Sequence, residues 1–205
     1  MSAAEDYKKK LGQELAELFG GEFKFYKSKL ELKRKRADGF DVIILSGSNK
    51  WSPLIDVSFY FGRNFDAARK VEKALGDHPM PYQIQQYSPN INSMIGLGFT
   101  GDGTWEVNIE EPPHDLAIKI KNAIENIAFP FFERFSSLKA AQEALAKDDS
   151  WCFSPKGPFY HMLFKVDAAL GDLEHFKKWS ECLEDFYIEQ ASEKISKLES
   201  CGFEI

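Results

Sequence analysis

From Phe23 to Ile109 the apolar residues recur mostly at every second position, and from Leu116 onward at every third or fourth. A period of two sends alternate side chains to the two faces of a strand, whereas a period near 3.6 aligns them along one stripe of a helix. A single switch of period predicts an α+β protein: a twisted antiparallel sheet with helices packed on it, followed by a helical C-terminal half. Glu110-Glu111-Pro112-Pro113 punctuates the two patterns. Residues 1–112 are therefore expected to hold an opening helix and the sheet. Residues 113–205 are expected to form a helical part packed with it as one compact unit.

The elements follow in order. Tyr7, Leu11, Leu15 and Leu18 predict a helix over 5–19, stopped by Gly20-Gly21. Phe23 and Phe25, then Leu30 and Leu32, alternate with charged residues as two strands. Ala37-Asp38-Gly39 has turn chemistry. Phe40 to Leu45 is apolar on both faces, as a central strand is. Pro53 opens a fourth strand with Ile55, Val57, Phe59 and Phe61 on one face, completing a four-stranded meander. Asn64 or Gly62 is expected to cap a helix carrying Phe65, Ala68, Val71 and Leu75, and His78 to Pro89 reads as loop with one short strand. A second hairpin sets Ile95, Leu97 and Phe99 against Trp105, Val107 and Ile109 around Gly101-Asp102-Gly103. Leu116, Ile120, Ile124, Ile127 and Phe131 line a helix that Pro130 ends or kinks. Ser136 or Ser137 caps a short helix to Ala146, and Pro158 opens another to about Leu170. Gly171-Asp172 starts the last and longest, with Leu173, Phe176, Trp179, Leu183, Phe186, Ile195 and Leu198 as its stripe.

Eighteen phenylalanines among 205 residues supply interior filling, since each ring removes much apolar area from water and carries no polar atom. No run approaches the ~20 apolar residues of a membrane-spanning helix, and the polar N-terminus lacks the apolar core of a signal peptide. Cys152, Cys182 and Cys201 form an odd set without Cys-x-x-Cys spacing, as reduced thiols of a cytoplasmic protein do. The net charge of −6 is uneven. Lys24, Lys27, Lys29, Lys33, Arg34, Lys35 and Arg36 stand against Glu31 alone, making that segment +6 and the remainder −12. An acidic body argues against wholesale nucleic-acid binding, which normally needs a broad basic footprint.

No arrangement of catalytic side chains, cofactor motif or metal-ligand spacing emerges. Gly96-Leu97-Gly98-Phe99-Thr100-Gly101 matches the letters of a dinucleotide fingerprint, but its glycines lie in a strand and a hairpin turn with no helix after them. Ser136-Ser137-Leu138-Lys139 lacks the companion motifs of acylating serine enzymes. His78, His114, His161 and His175 have no zinc spacing. Cys152 and His161 could approach as a nucleophile–base pair, although buried cysteine is commonly a small hydrophobe. Glu110-Glu111, Asp148-Asp149 and Glu184-Asp185 are adjacent acids, not carboxylates held apart across a cleft.

Two clusters remain as binding candidates. Lys33 and Lys35 share one strand face and Arg34 and Arg36 the other. This set can bind an anion, or simply keep an edge hairpin soluble and block edge-to-edge pairing. Asp148, Asp149 and Trp151 place an indole beside two acids, either as a partner-binding anchor or as a ring tucked under neighbouring helices.

Five strings carry a likeness: Gly20-Gly21-Glu22-Phe23 after the opening helix, Leu30-Glu31-Leu32-Lys33-Arg34-Lys35, Lys50-Trp51-Ser52, Phe59-Tyr60-Phe61-Gly62, and Phe129-Pro130-Phe131-Phe132-Glu133-Arg134-Phe135. With the order of elements, they resemble a bacterial family of small uncharacterised α+β domains encountered among immunity proteins of toxin systems. They cover about residues 5–135, and the resemblance implies a binding role without catalytic residues. The first expectation is a non-enzymatic, immunity-like interaction protein that meets a basic partner through its acidic surface. The alternative is an enzyme or small-anion binder with a pocket between sheet and helices, where Arg34, Arg36 or His161 meets the anion.

Overall fold

A computed structural model describes residues 2–48, 51–77, 84–86, 104–147, 160–181 and 185–203. The fold is α+β with an antiparallel sheet, as the change of period predicts. Helix α1 (Ala3–Leu18) leads into β1 (Lys24–Tyr26), β2 (Glu31–Arg36), β3 (Gly39–Ser46) and β4 (Leu54–Phe65). Then come α2 (Asp66–Leu75), β5 (Ile84–Gln86) and β6 (Trp105–Asn108). The helical half holds α3 (His114–Ala123), α4 (Phe129–Arg134), α5 (Leu138–Ala146), α6 (Tyr160–Leu170), α7 (Leu173–Ser180) and α8 (Asp185–Ser200). Strand order is β1-β2-β3-β4-β5, so the first four strands are the predicted meander, and β6 pairs antiparallel with the start of β4. Among the described residues no helix is long and apolar enough to cross a membrane.

The chain makes two compact units, each drawing on residues from both sides of position 112. One comprises Met1–Arg36, Phe40–Gly62 and Gln86–Phe131; the other comprises Ala37–Gly39, Arg63–Gln85 and Phe132–Ile205.

In the first unit the phenylalanines fill the interior. Trp105 stacks on Phe59 with centroids 6.0 Å apart, Phe59 lies 6.0 Å from Phe61, and Phe61 meets Phe131 edge-on at 5.1 Å. Phe19, Phe23 and Phe129 form a second group, with centroids 5.0 to 6.1 Å apart. Burying one such ring contributes about 1.5–3 kcal/mol. Helix α1 packs on α3, and of its predicted stripe Tyr7, Leu11 and Leu15 are buried while Leu18 is half-buried. It can sit close to β1 because position 12 is glycine: a Cβ there would fall 2.2 Å from the Phe25 ring. Pro130 does not end the helical run, which continues to Arg134. Between α3 and α4 the chain widens into a π-helical stretch, Ile124–Ala128, with the Phe129 amide donating to the Ile124 carbonyl. Proline lacks an N–H and its ring crowds the carbonyl four residues earlier, so a widened turn lets the helix continue past it.

In the second unit Arg63, at the end of β4, is fully buried. Its guanidinium donates to the Asn64 carbonyl (2.8 Å), the Phe135 carbonyl (3.3 Å) and the Asp38 carboxylate, and lies 4.5 Å over the Phe65 ring. Neither Asn64 nor Gly62 caps α2, contrary to expectation. The strand stays extended through Phe65, which occupies the N-cap without a side-chain bond; the Asp66 amide donates to the Asp38 carbonyl instead. Gly39 makes this approach of turn and strand feasible, with φ +152° and room for no Cβ, which would lie 2.0 Å from the Asn64 carbonyl oxygen. Ser137 caps α5 as predicted, accepting from the Ala140 amide at 3.1 Å. The expected long last helix is two helices, α7 and α8, with Glu181 in a turn after the first.

Candidate functional site: an acid-rimmed groove

Four segments of the first unit converge on a groove of about 820 Å³. Its floor is apolar: Tyr7 from α1, Leu54 from β4, Trp105 from β6 and Leu116 from α3. Its rim is acidic, with Glu106, Glu111 and Asp115, and it carries two basic groups, His114 and Lys119. Local sequence dictates this division. On β6 the period of two turns Trp105 inward and leaves Glu106 exposed. The Glu111-Pro112-Pro113 stretch ends the sheet and starts α3, whose apolar stripe puts Leu116 inside and leaves Asp115 and Lys119 outside.

Acids outnumber bases in the groove, three carboxylates standing against His114 and Lys119. Register sets Leu54 opposite Asn108, Ile55 opposite Val107 and Asp56 opposite Glu106, placing two carboxylates side by side on one face. Burial pushes the Tyr7 phenol above its usual range, and the negative charge of Glu111 adds to the shift. His114 Nδ1 lies 3.0 Å from a Glu14 carboxylate oxygen, and this hydrogen bond raises the imidazole's pKa. The His114 ring is thus engaged with Glu14, while Glu106, Glu111 and Asp115 line the groove. An apolar floor under an anionic rim suits a cationic group on an aliphatic stem, because the stem covers the floor as the head meets the carboxylates.

The predicted basic cluster is elsewhere in this unit, and Lys33, Arg34 and Arg36 are engaged internally. Arg34 Nε (2.8 Å) and Arg36 Nε (2.7 Å) both donate to Oδ2 of Asp41, which is fully buried on β3. Arg34 also pairs with Glu22 and stacks 4.6 Å over Phe129. Lys33 pairs with Glu31 at 2.8 Å and lies over the Phe40 ring at 4.7 Å; Lys35 is exposed. The alternation of faces holds, and the β1–β2 hairpin lies at the end of the strand order, with β2 between β1 and β3. A groove between sheet and helices is present too, although Arg34, Arg36 and His161 are not among its described lining residues and its rim has the opposite sign to an anion site. Asp148, Asp149, Trp151 and Cys152 lie outside the described residues.

The second unit holds two polar clusters. Buried Asp167 accepts from Gln142 Nε2 at 2.7 Å and pairs with His175 Nδ1 at 2.9 Å; Gln142 also donates to Asp172, the N-cap of α7, at 3.0 Å. This joins α5, α6 and α7 through one carboxylate, whose pKa burial raises. In the other, His161 Nδ1 lies 2.9 Å from Lys194 Nζ, and Lys165 bridges buried Glu72 at 2.8 Å. Burial, with the neighbouring charges of Lys194 and Lys165, lowers the His161 pKa to about 4, so the ring is neutral and accepts from Lys194. Among the described residues no group of three His, Cys, Asp or Glu is placed to hold a metal ion. The expectation of a pocket between sheet and helices names none of these lining residues, because the walls come from positions near 7, 54, 106 and 114. The only local signal was the change from alternating Trp105-Glu106-Val107 to the acidic Glu110-Glu111.

No protein-family model, no curated protein and no solved structure matches this chain.

Proposed function

We propose that this chain is a non-enzymatic binding protein whose groove receives a cationic segment of a basic protein partner. One observation carries the reading: Glu106, Glu111 and Asp115 rim an apolar floor of Tyr7, Leu54, Trp105 and Leu116. Opposed potentials steer encounter and set register, while the floor supplies the apolar burial that holds the complex. The acidic balance of the whole chain supports the same sign of partner. An immunity-like role in a bacterial cytoplasm, with a basic toxin as the partner, is the biological form of this reading.

The test is fluorescence anisotropy with a labelled peptide of alternating arginine and leucine, and an acidic peptide of equal length as control. Salt-sensitive binding of the basic peptide is expected, lost when Glu106→Gln, Glu111→Gln and Asp115→Asn are combined. Binding unchanged by those substitutions, or no binding to the native chain, overturns the reading. Co-expression with the adjacent reading frames, followed by capture at moderate salt, extends the test to the natural partner.

A further inference from the structure

Trp51 is 88% exposed, whereas the next most exposed large hydrophobic side chain among the described residues, Tyr26, reaches 40%. An indole removes more apolar area from water on burial than almost any other side chain, and a folded chain rarely leaves one so bare. Its position is defined by the groove's own backbone. The Trp51 carbonyl accepts from the Leu54 amide at 2.7 Å, and the Pro53 carbonyl accepts from the Ile109 amide at 3.0 Å. Leu54 and its register partner Asn108 both line the groove. The Trp51 backbone therefore stands in the turn that leads into the groove's Leu54, where β4 begins and β6 finishes, with its indole exposed beside the lining residues.

We propose that Trp51 is a second anchor for the basic segment, offering its indole face to an arginine adjacent to the cation held by the acid rim. This rests on the groove being a cation site and adds to it the kind of residue recognised. The charge of the rim selects a cationic partner, and the exposed ring selects among cations. A guanidinium is flat, weakly hydrated and stacks on indole, whereas a lysine ammonium is compact and strongly hydrated. The chain itself uses this pairing inside, where Arg34 lies 4.6 Å over Phe129 and Arg63 lies 4.5 Å over Phe65. An anionic rim and an aromatic turn adjoining it fit an extended segment with arginines along it.

The experiment compares two labelled peptides, one of arginine and leucine and one with every arginine replaced by lysine, against the native chain, Trp51→Ala, Trp51→Phe and the double variant Glu106→Gln, Glu111→Gln. Trp51→Ala is expected to weaken the arginine peptide by about two- to fivefold, the range of a cation–aromatic contact at an exposed site. Trp51→Phe should fall between, the lysine peptide should lose less, and the thermal midpoint should stay unchanged because the ring packs on little. The double variant should weaken both peptides. If Trp51→Ala binds the arginine peptide as tightly as the native chain while the double variant loses it, the anchor is refuted and the groove reading stands. If the native chain binds neither peptide, the groove reading falls and the anchor with it. Sedimentation showing a dimer that Trp51→Ala abolishes, or co-sedimentation with anionic vesicles that Trp51→Ala abolishes, with no effect on peptide affinity, would likewise overturn it in favour of another occupant.

Discussion

Asp56 on β4 and Glu106 on β6 are register partners, so two carboxylates face the same way on neighbouring strands. Like charges directly opposite in a sheet cost roughly 0.2–1 kcal/mol. Asp56 is buried and accepts from Ser48 Oγ at 3.4 Å, while Glu106 lines the groove, so a cation bound there meets the Glu106 charge directly. Glu106→Gln is therefore expected to raise the stability of the unliganded chain by about 0.5 kcal/mol, within that same range, while weakening the basic peptide. Urea unfolding and peptide titration of the one variant check both signs. Lower stability together with unchanged affinity would refute the pairing as a functional feature.

The pair between His114 and Glu14 gives the groove a pH dependence. The hydrogen bond to Glu14 raises the imidazole's pKa, so the folded value exceeds the unfolded one. The stability this contact contributes is fully present below the unfolded value and is lost as pH rises through the folded one. Binding runs the other way. Deprotonation of His114 removes one positive charge beside the rim, and one unit charge about 10 Å away in a mostly aqueous setting changes cation affinity by about twofold. The peptide should bind about twofold tighter above the imidazole's titration than below it, and His114→Gln should abolish the step. Anisotropy titrations between pH 6 and 8.5 read this directly.

Asp41 holds Arg34 and Arg36 by one oxygen. Removing its charge leaves two half-buried guanidinium groups without that partner, at a cost of about 3 kcal/mol. Asp41→Asn should lower the urea midpoint accordingly and lengthen retention on a heparin column at low salt, as the two arginines turn outward. Native-like stability with unchanged retention would show that the cluster does not depend on Asp41.

That cluster also marks what a linear reading can and cannot reach. Alternation correctly put Arg34 and Arg36 on one face, because the side-chain direction of a strand is fixed by its own period. Their partner was invisible, since Asp41 stands in the middle of an apolar strand and becomes an ion-pair partner only after the hairpin folds back at Asp38-Gly39. The meander, the Ser137 cap and the strand buried at Ile55, Val57, Phe59 and Phe61 were legible for the same reason: each is set by residues near in sequence. The extension of β4 through Phe65 was not, because it depends on Arg63 reaching carbonyls and a carboxylate 1, 25 and 72 residues away. The groove depends on a strand register and a helix-to-helix pair separated by 100 residues, and no local pattern encodes either.

His161 supplies the acid limit of the second unit. Burial lowers its pKa to about 4, with Lys194 and Lys165 adding to the shift, whereas the unfolded ring titrates near 6.5. Between these values the unfolded chain binds a proton that the native chain refuses, so stability falls as pH drops through this window. The imidazole is only partly buried and solvent screens its neighbours, which reduces the loss to about 1–2 kcal/mol between pH 6.5 and 4. His161→Gln keeps a polar group that can accept from Lys194 and has nothing to titrate. The native chain should lose urea resistance over that interval more than the variant does, with the two converging at pH 7 apart from a constant packing difference. Parallel acid limbs in the two proteins would mean that the proton enters elsewhere, and Asp167, whose carboxyl burial raises, would not explain it, because a raised carboxyl favours the native state as pH falls.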